Sequence, residues 1–382
     1  MPPQQDSARF DLVLVQPLLV RRAAAEAVKG IMITAVFALA AAGCGGAAGR
    51  ESRSEPARPE PARTLTDAAP AQLTAGWRTD FSKRSVPFAE IQSGGAPKDG
   101  IPAIDAPRFL AVDAVDFIAA EEPVIAVGIA GESRAYPIQI LIWHEIVNDE
   151  IAGVPVAVTF CPLCNTAIVF DRRVGGRTLH FGTTGNLRHS DLVMYDRQTE
   201  SWWQQFGGEG IVGRYTGVRL KNIPAQIVAW EEFRQSYPTG FVLERPKAHP
   251  TSRNSDFLRP YGENPYQGYD DIESSPLFAA ANGDDDRLAP KERVVFIERG
   301  GDAVAVSFAV LEERRVVRVK VGGHRLLVSW RPGVASALDV GEIRQGRDVG
   351  AADVLENGQT VPFSEPFWFA VAAFRPDVRV VG

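Results

Sequence analysis

Cysteine is scarce in this chain, with three residues, Cys44, Cys161 and Cys164, among 382. So few thiols exclude a disulfide-stapled scaffold, and a chain of this length buries a large core without staples. Long apolar runs are also missing. The best candidate, Ile31 to Ala42, is too short for an ordinary membrane-spanning helix. There is no dense Lys/Arg block, and the net charge of -6 gives no basic footprint, so nucleic acid is not an expected partner. No Gly-x-Ser-x-Gly, phosphate loop or dinucleotide fingerprint occurs, which removes the nucleophile-elbow hydrolases and the common nucleotide-binding folds. His144-Glu145 opens like the zinc-protease pattern H-E-x-x-H, but Asn148 stands at the second histidine position and the pattern fails.

What remains is ordinary globular composition, 45% hydrophobic and 23% charged, with 35 Gly and 27 Pro that favour a turn-rich fold. Arg21, Arg22 and Lys29 precede the apolar run, and Ala41-Ala42-Gly43-Cys44 follows it, which predicts a signal peptide over residues 1–43. Small residues directly before a cysteine resemble a bacterial lipobox. Cys44 is then the lipidated first residue of an extracytoplasmic, membrane-anchored protein of the cell envelope; a plain secretory signal or an uncleaved anchor is the alternative. Such signals begin with a short basic segment, so residues 1–27 are expected to be absent from the native protein, with the start at Val28. Residues 44–76 are rich in Ala, Pro, Glu, Arg and Ser and cannot bury enough surface to offset their ordering entropy. They predict a disordered tether, with the folded part beginning near Trp77.

Short Val- and Ile-rich runs separated by Gly, Asp and Pro predict a mainly β fold with a few short helices. Shifting the chain by 170 positions without a gap lays Asp116 to Ile168 over Asp286 to Leu338. Gly131 then meets Gly301, Leu141 meets Leu311, Gly153 meets Gly323 and Pro162 meets Pro332. The expectation is two related β-rich units, 77–285 and 286–382, joined by a long insertion over 172–285. The alternative is an accident of apolar patterning. Polar residues of the first unit are not kept in the second: His144 faces Arg314, Glu145 faces Arg315, Cys161 faces Arg331 and Cys164 faces Val334. Function is therefore sought in the first unit.

Cys161-Pro162-Leu163-Cys164 sits at a turn between two buried strands, Val156 to Phe160 and Ala167 to Phe170. Two thiols at this spacing suit a redox pair, half of a metal site, or a structural disulfide. A thioredoxin-type site needs a helix after the first thiol, whereas the residues after Cys164 read as a strand. As a metal site the turn supplies two ligands, and histidines of the same unit, His144, His180 and His189, are candidates for the rest. The predicted set is Cys161, Cys164, His144 and His189 around a zinc or copper ion. A ligand cleft is expected beside it, formed by the segments Asn186 to Tyr195 and Tyr261 to Tyr269, with Asn186, Asp196, Trp202, Gln205 and Tyr266 as contacts. Asp196 also suits turn hydrogen bonds, and Trp202-Trp203 also suits core packing.

The succession WHEIVND, CPLCNTAIVFD, LVMYDRQTESWWQQ, YGENPYQGYD and FWFAVAAFRPD, from about Phe88 to Val380, resembles the prokaryotic family catalogued as domain of unknown function 3179. The resemblance implies an extracytoplasmic or membrane-associated domain and assigns no activity. Three functions stay open: a soft-metal protein, a thiol-disulfide redox protein, and a non-catalytic binding module whose CxxC is a staple.

Overall fold

The computed structural model describes residue 65 and residues 67–247 and 259–382. The expected signal peptide, Cys44 and the expected tether as far as residue 64 lie outside the described residues. The fold takes in more than Trp77 onward: Asp67 accepts hydrogen bonds from Arg84 at 2.8 Å and from the Phe88 amide at 2.6 Å, and a short helix follows at Ala71–Thr74.

The protein is mainly β, with short helices and several small sheets arranged like the blades of a propeller. At its centre, Val154–Cys161 pairs antiparallel with Ile146–Ile151 on one side and Thr166–Asp171 on the other; Lys221–Ile223 completes the sheet. Val156 to Cys161 is buried on both faces, which is why this strand reads as a nearly unbroken apolar run rather than an alternating one. The cover on one face comes from the next sheet. Its strand Phe181–Arg188 is tied to Ile146–Ile151 by Asn148, which exchanges hydrogen bonds of 2.8 and 2.9 Å with the Phe181 backbone. The second half provides the contrast. Val316–Val321 alternates exposed and buried residues, as a strand with one wet face should.

The order strand, strand, helix, strand, strand occurs at Pro123–Ile129, Glu132–Pro137, Ile138–His144, Ile146–Ile151 and Val154–Cys161. It occurs again at Val294–Arg299, Asp302–Ser307, Phe308–Arg314, Val316–Val321 and His324–Arg331. From the second element onward the bounds differ by 170 positions. Within the stretch 172–285 expected as an insertion, Lys221–Ile223 and Ala225–Ala229 pair with Thr166–Asp171 and Pro123–Ile129. Residues 172–220 leave the sheets of those strands and supply four of the five strands, Phe181–Arg188 and Asp191–Asp196 among them, of a layer whose fifth strand is Ile91–Ser93.

The helix Ile138–His144 is apolar on nearly every side and buried, so burial rather than amphipathic patterning holds it. It ends at Glu145, whose φ of 58° lies in the left-handed region and whose amide closes on Leu141 O at 2.7 Å. The terminal helix Trp368–Phe374 is buried through Ala372 and closes the main core.

Candidate metal centre

The strand Val154–Cys161 delivers Cys161 to its last position, opposite Thr166 at the start of the next strand. Pro162, Leu163, Cys164 and Asn165 span the gap. Asn165 takes a positive φ of 55°, which asparagine tolerates better than most residues, and its amide closes on Pro162 O at 3.4 Å. Asn165 Nδ2 is anchored to Glu365 O at 2.8 Å, and the Phe367 amide holds Cys164 O at 2.9 Å. The turn is therefore clamped against the C-terminal segment, with both thiols free and buried.

A third group arrives from the neighbouring sheet. Arg188 pairs with Asp191 across a two-residue hairpin, His189-Ser190, in which both residues have positive φ, 53° and 61°. That is the geometry of a type I′ turn, whose twist suits the flanking strands. It places the Asp191 carboxylate beside the turn: Cys164 Sγ donates to Asp191 Oδ1 at 2.8 Å. One ligand atom each from Cys161, Cys164 and Asp191 lie within 4.8 Å of one another, all buried. This group could hold a metal ion.

Polar neighbours fix the group in place. Asp191 Oδ2 accepts from Gln204 Nε2 at 2.5 Å and from the Phe206 amide at 2.9 Å, leaving Oδ1 for the thiol. Thr166 Oγ1 lies 2.9 Å from Cys164 Sγ and donates to Gln205 Oε1 at 2.7 Å, while Gln205 Nε2 reaches Thr159 Oγ1 at 2.9 Å. Gln205 thus supports the thiol turn from behind.

Electrostatically the group is acidic and starved of counter-charge. Burial pushes both thiols up, reinforced by Asp191. Burial also raises Asp191, against the hydrogen bonds that favour its charged form. Glu145 is driven up to about 8 by burial and by the nearby Asp191, and its buried Oε2 has no hydrogen-bond partner among the described residues. Two carboxyls and two thiols are thus pressed toward their neutral forms, and a bound cation would favour the charged form of each.

The two expected histidines are not brought to the sulfurs. His144 spends both ring nitrogens elsewhere, on Pro102 O at 2.8 Å and Tyr261 Oη at 2.7 Å, and burial holds its imidazole down at about 4. His189 lies in the hairpin turn two residues from Asp191, yet its Nε2 faces Glu90 at 3.3 Å and its Nδ1 accepts from the Ala281 amide at 3.2 Å. His180 pairs with Gln198 at 3.0 Å. The carboxylate Asp191, which sequence reading passed over, joins the thiols instead. The only local signal for it was a polar His-Ser-Asp turn between two apolar strands.

The expected contact residues divide. Tyr266 stands near Glu145 and Cys161, which raise its phenol together with burial. Tyr269 donates to Leu163 O within the thiol turn at 3.0 Å. Asn186 lies in the irregular stretch of Phe181–Arg188, its amide on Thr184 Oγ1 at 2.9 Å. Asp196 is consumed by a turn, accepting from the Thr199 amide at 2.6 Å, Thr199 Oγ1 at 2.9 Å and Trp203 Nε1 at 3.1 Å. Trp202 is core, edge-on to Trp77 and Phe81.

These features define a mainly β protein with a buried dithiol-carboxylate group at a strand end. The chain belongs to the family described as Protein of unknown function (DUF3179), whose model matches residues 98–378 and so contains every member of that group. No curated protein and no solved structure matches it.

Proposed function

We propose that this protein is a metal-binding protein of the cell envelope, in which Cys161, Cys164 and Asp191 hold one divalent transition-metal ion. The observation that carries the reading is the convergence of two thiols and a carboxylate within 4.8 Å in a buried setting. Two thiolates select soft and borderline ions, and a carboxylate oxygen as the third ligand favours zinc over monovalent copper. Binding requires the thiols to lose their protons, so the ion is also the event that relieves the raised thiols. The lipid anchor at Cys44 would hold this site outside the cytoplasm, facing metal in the envelope.

The thiol-disulfide reading rests on the same cysteines being free and close. Reactive thiols are partly exposed and electropositive in setting, with a lowered pKa. Here both are buried and pushed up, which favours metal binding over redox exchange.

Titration of metal-free, reduced protein with zinc tests the proposal. One equivalent should bind to the wild type, and Cys161→Ser and Asp191→Asn should each weaken that binding more than about 100-fold, beyond the 10- to 100-fold typical of a residue that merely supports a ligand. No uptake by the wild type, or unchanged uptake by both variants, would remove the reading.

A further inference from the structure

Three protein ligands leave a four-coordinate ion one position short. We infer that Glu145 fills it, so that the complete site is Cys161, Cys164, Asp191 and Glu145. This rests on the metal-site reading and extends it.

The backbone determines where this side chain can go. Glu145 ends the helix Ile138–His144 in a left-handed conformation, and its carbonyl accepts from the Phe160 amide at 2.9 Å, one residue before Cys161. The same corner occurs 170 positions later. Arg315 ends the helix Phe308–Arg314 with φ of 63°, its carbonyl accepts from the Trp330 amide at 3.0 Å, and its guanidinium stacks over the Trp330 ring at 4.5 Å. The conformation is therefore a property of the corner and is not by itself a mark of function. What differs is the side chain placed on it. In the first unit it is a carboxylate next to the strand that ends in the thiol turn.

Glu145 is 7% exposed, and its Oε2 makes no hydrogen bond to a described residue. A buried polar oxygen without a partner costs about 1 to 3 kcal/mol, so such atoms call for an occupant that the fold itself does not supply. The charge that acts on it is that of Asp191, and its own charge acts on Cys161 and Tyr266, so two of these three partners belong to the dithiol-carboxylate group. Glu145 lies outside the group of three whose ligand atoms fall within 4.8 Å of one another, so its ligation requires the side chain to turn toward the ion. Two thiolates and two carboxylates around a +2 ion leave the same formal charge as the four-thiolate structural zinc sites. A closed set of this kind holds an ion rather than offering it to a substrate.

Glu145→Gln tests this, because glutamine keeps the size of the protonated side chain. Zinc affinity is measured by competition with a chromophoric chelator, and coordination by the visible absorption of the cobalt(II)-substituted protein, with the exposed Glu150→Gln as control. The expected result is a fall in zinc affinity of more than about 100-fold, beyond the 10- to 100-fold typical of a residue that merely supports a ligand. The intense tetrahedral cobalt bands of the wild type should weaken as water enters, while Glu150→Gln leaves both unchanged. Wild-type protein that binds zinc while Glu145→Gln binds it equally well, with the same cobalt spectrum, overturns the role of Glu145 and leaves the three-ligand site standing. Wild-type protein that takes up neither metal overturns both.

Discussion

Cys164 Sγ and Asp191 Oδ1 lie 2.8 Å apart, joined across two different sheets by a thiol-to-carboxylate hydrogen bond. The contact ties the thiol turn to the excursion that covers it and joins the two halves of the proposed centre directly. Asp191→Asn should therefore act twice. Without metal it loses a charge-assisted hydrogen bond and sets an amide against Gln204, for a loss of about 1 to 3 kcal/mol in denaturant unfolding. With zinc present, the rise in melting temperature expected for wild type should disappear.

The strand that presents Asp191 depends on Gly185, whose φ is 76° and where a Cβ would meet Ala96 O at 1.9 Å. Backbone, not a movable side chain, blocks that space. Gly185→Ala is expected to cost roughly 3 kcal/mol or more, since strain and overpacking coincide. Thermal unfolding checks the loss, and zinc uptake should fall with it.

How much of this was legible in the sequence follows from which interactions are local. The thiol turn could be read because Val156 to Phe160 and Ala167 to Phe170 are apolar runs on either side of Cys-Pro-Leu-Cys. Asp191 could not be read. It reaches Cys164 only through packing of one sheet on another, and no ligand spacing connects the two positions. His144 misled for the converse reason: its nearness in sequence to the thiol turn is real, but the helix end turns the imidazole toward Pro102 and Tyr261 and leaves the next residue, Glu145, beside the site. The return of Lys221–Ile223 and Ala225–Ala229 to earlier strands is not legible, because both are short and their pairing with strands some fifty and a hundred positions earlier has no local signature.

Asp353 offers a pH test away from the proposed centre. It is buried, receives a hydrogen bond from Gln226 at 2.6 Å, and is raised by burial from 3.8 to about 6. The folded protein thus holds this proton more tightly than the unfolded chain. Its contribution favours folding below about pH 4 and is lost as pH rises to 6, a penalty of about 2 to 3 kcal/mol at neutrality. Asp353→Asn should be more stable than wild type at pH 7.5 in urea unfolding, and the advantage should shrink toward pH 4. An advantage that is constant with pH would mean that the carboxylate does not titrate in this range.

The proposed lipid anchor has a simple readout. Cys44→Ser should move the protein from the membrane to the soluble fraction of fractionated cells, with zinc affinity and melting temperature unchanged. Membrane association that survives the substitution would favour an uncleaved anchor.

Zinc K-edge X-ray absorption on protein purified under reductant with its metal retained bears most directly on the central claim. The account predicts one zinc per chain, two sulfur neighbours at about 2.3 Å and oxygen neighbours at about 2.0 to 2.2 Å. It also predicts no outer-shell scattering from imidazole, because His144 and His189 are engaged elsewhere. Protein that carries no stoichiometric metal after zinc reconstitution, or zinc bound through imidazole without sulfur, would contradict it.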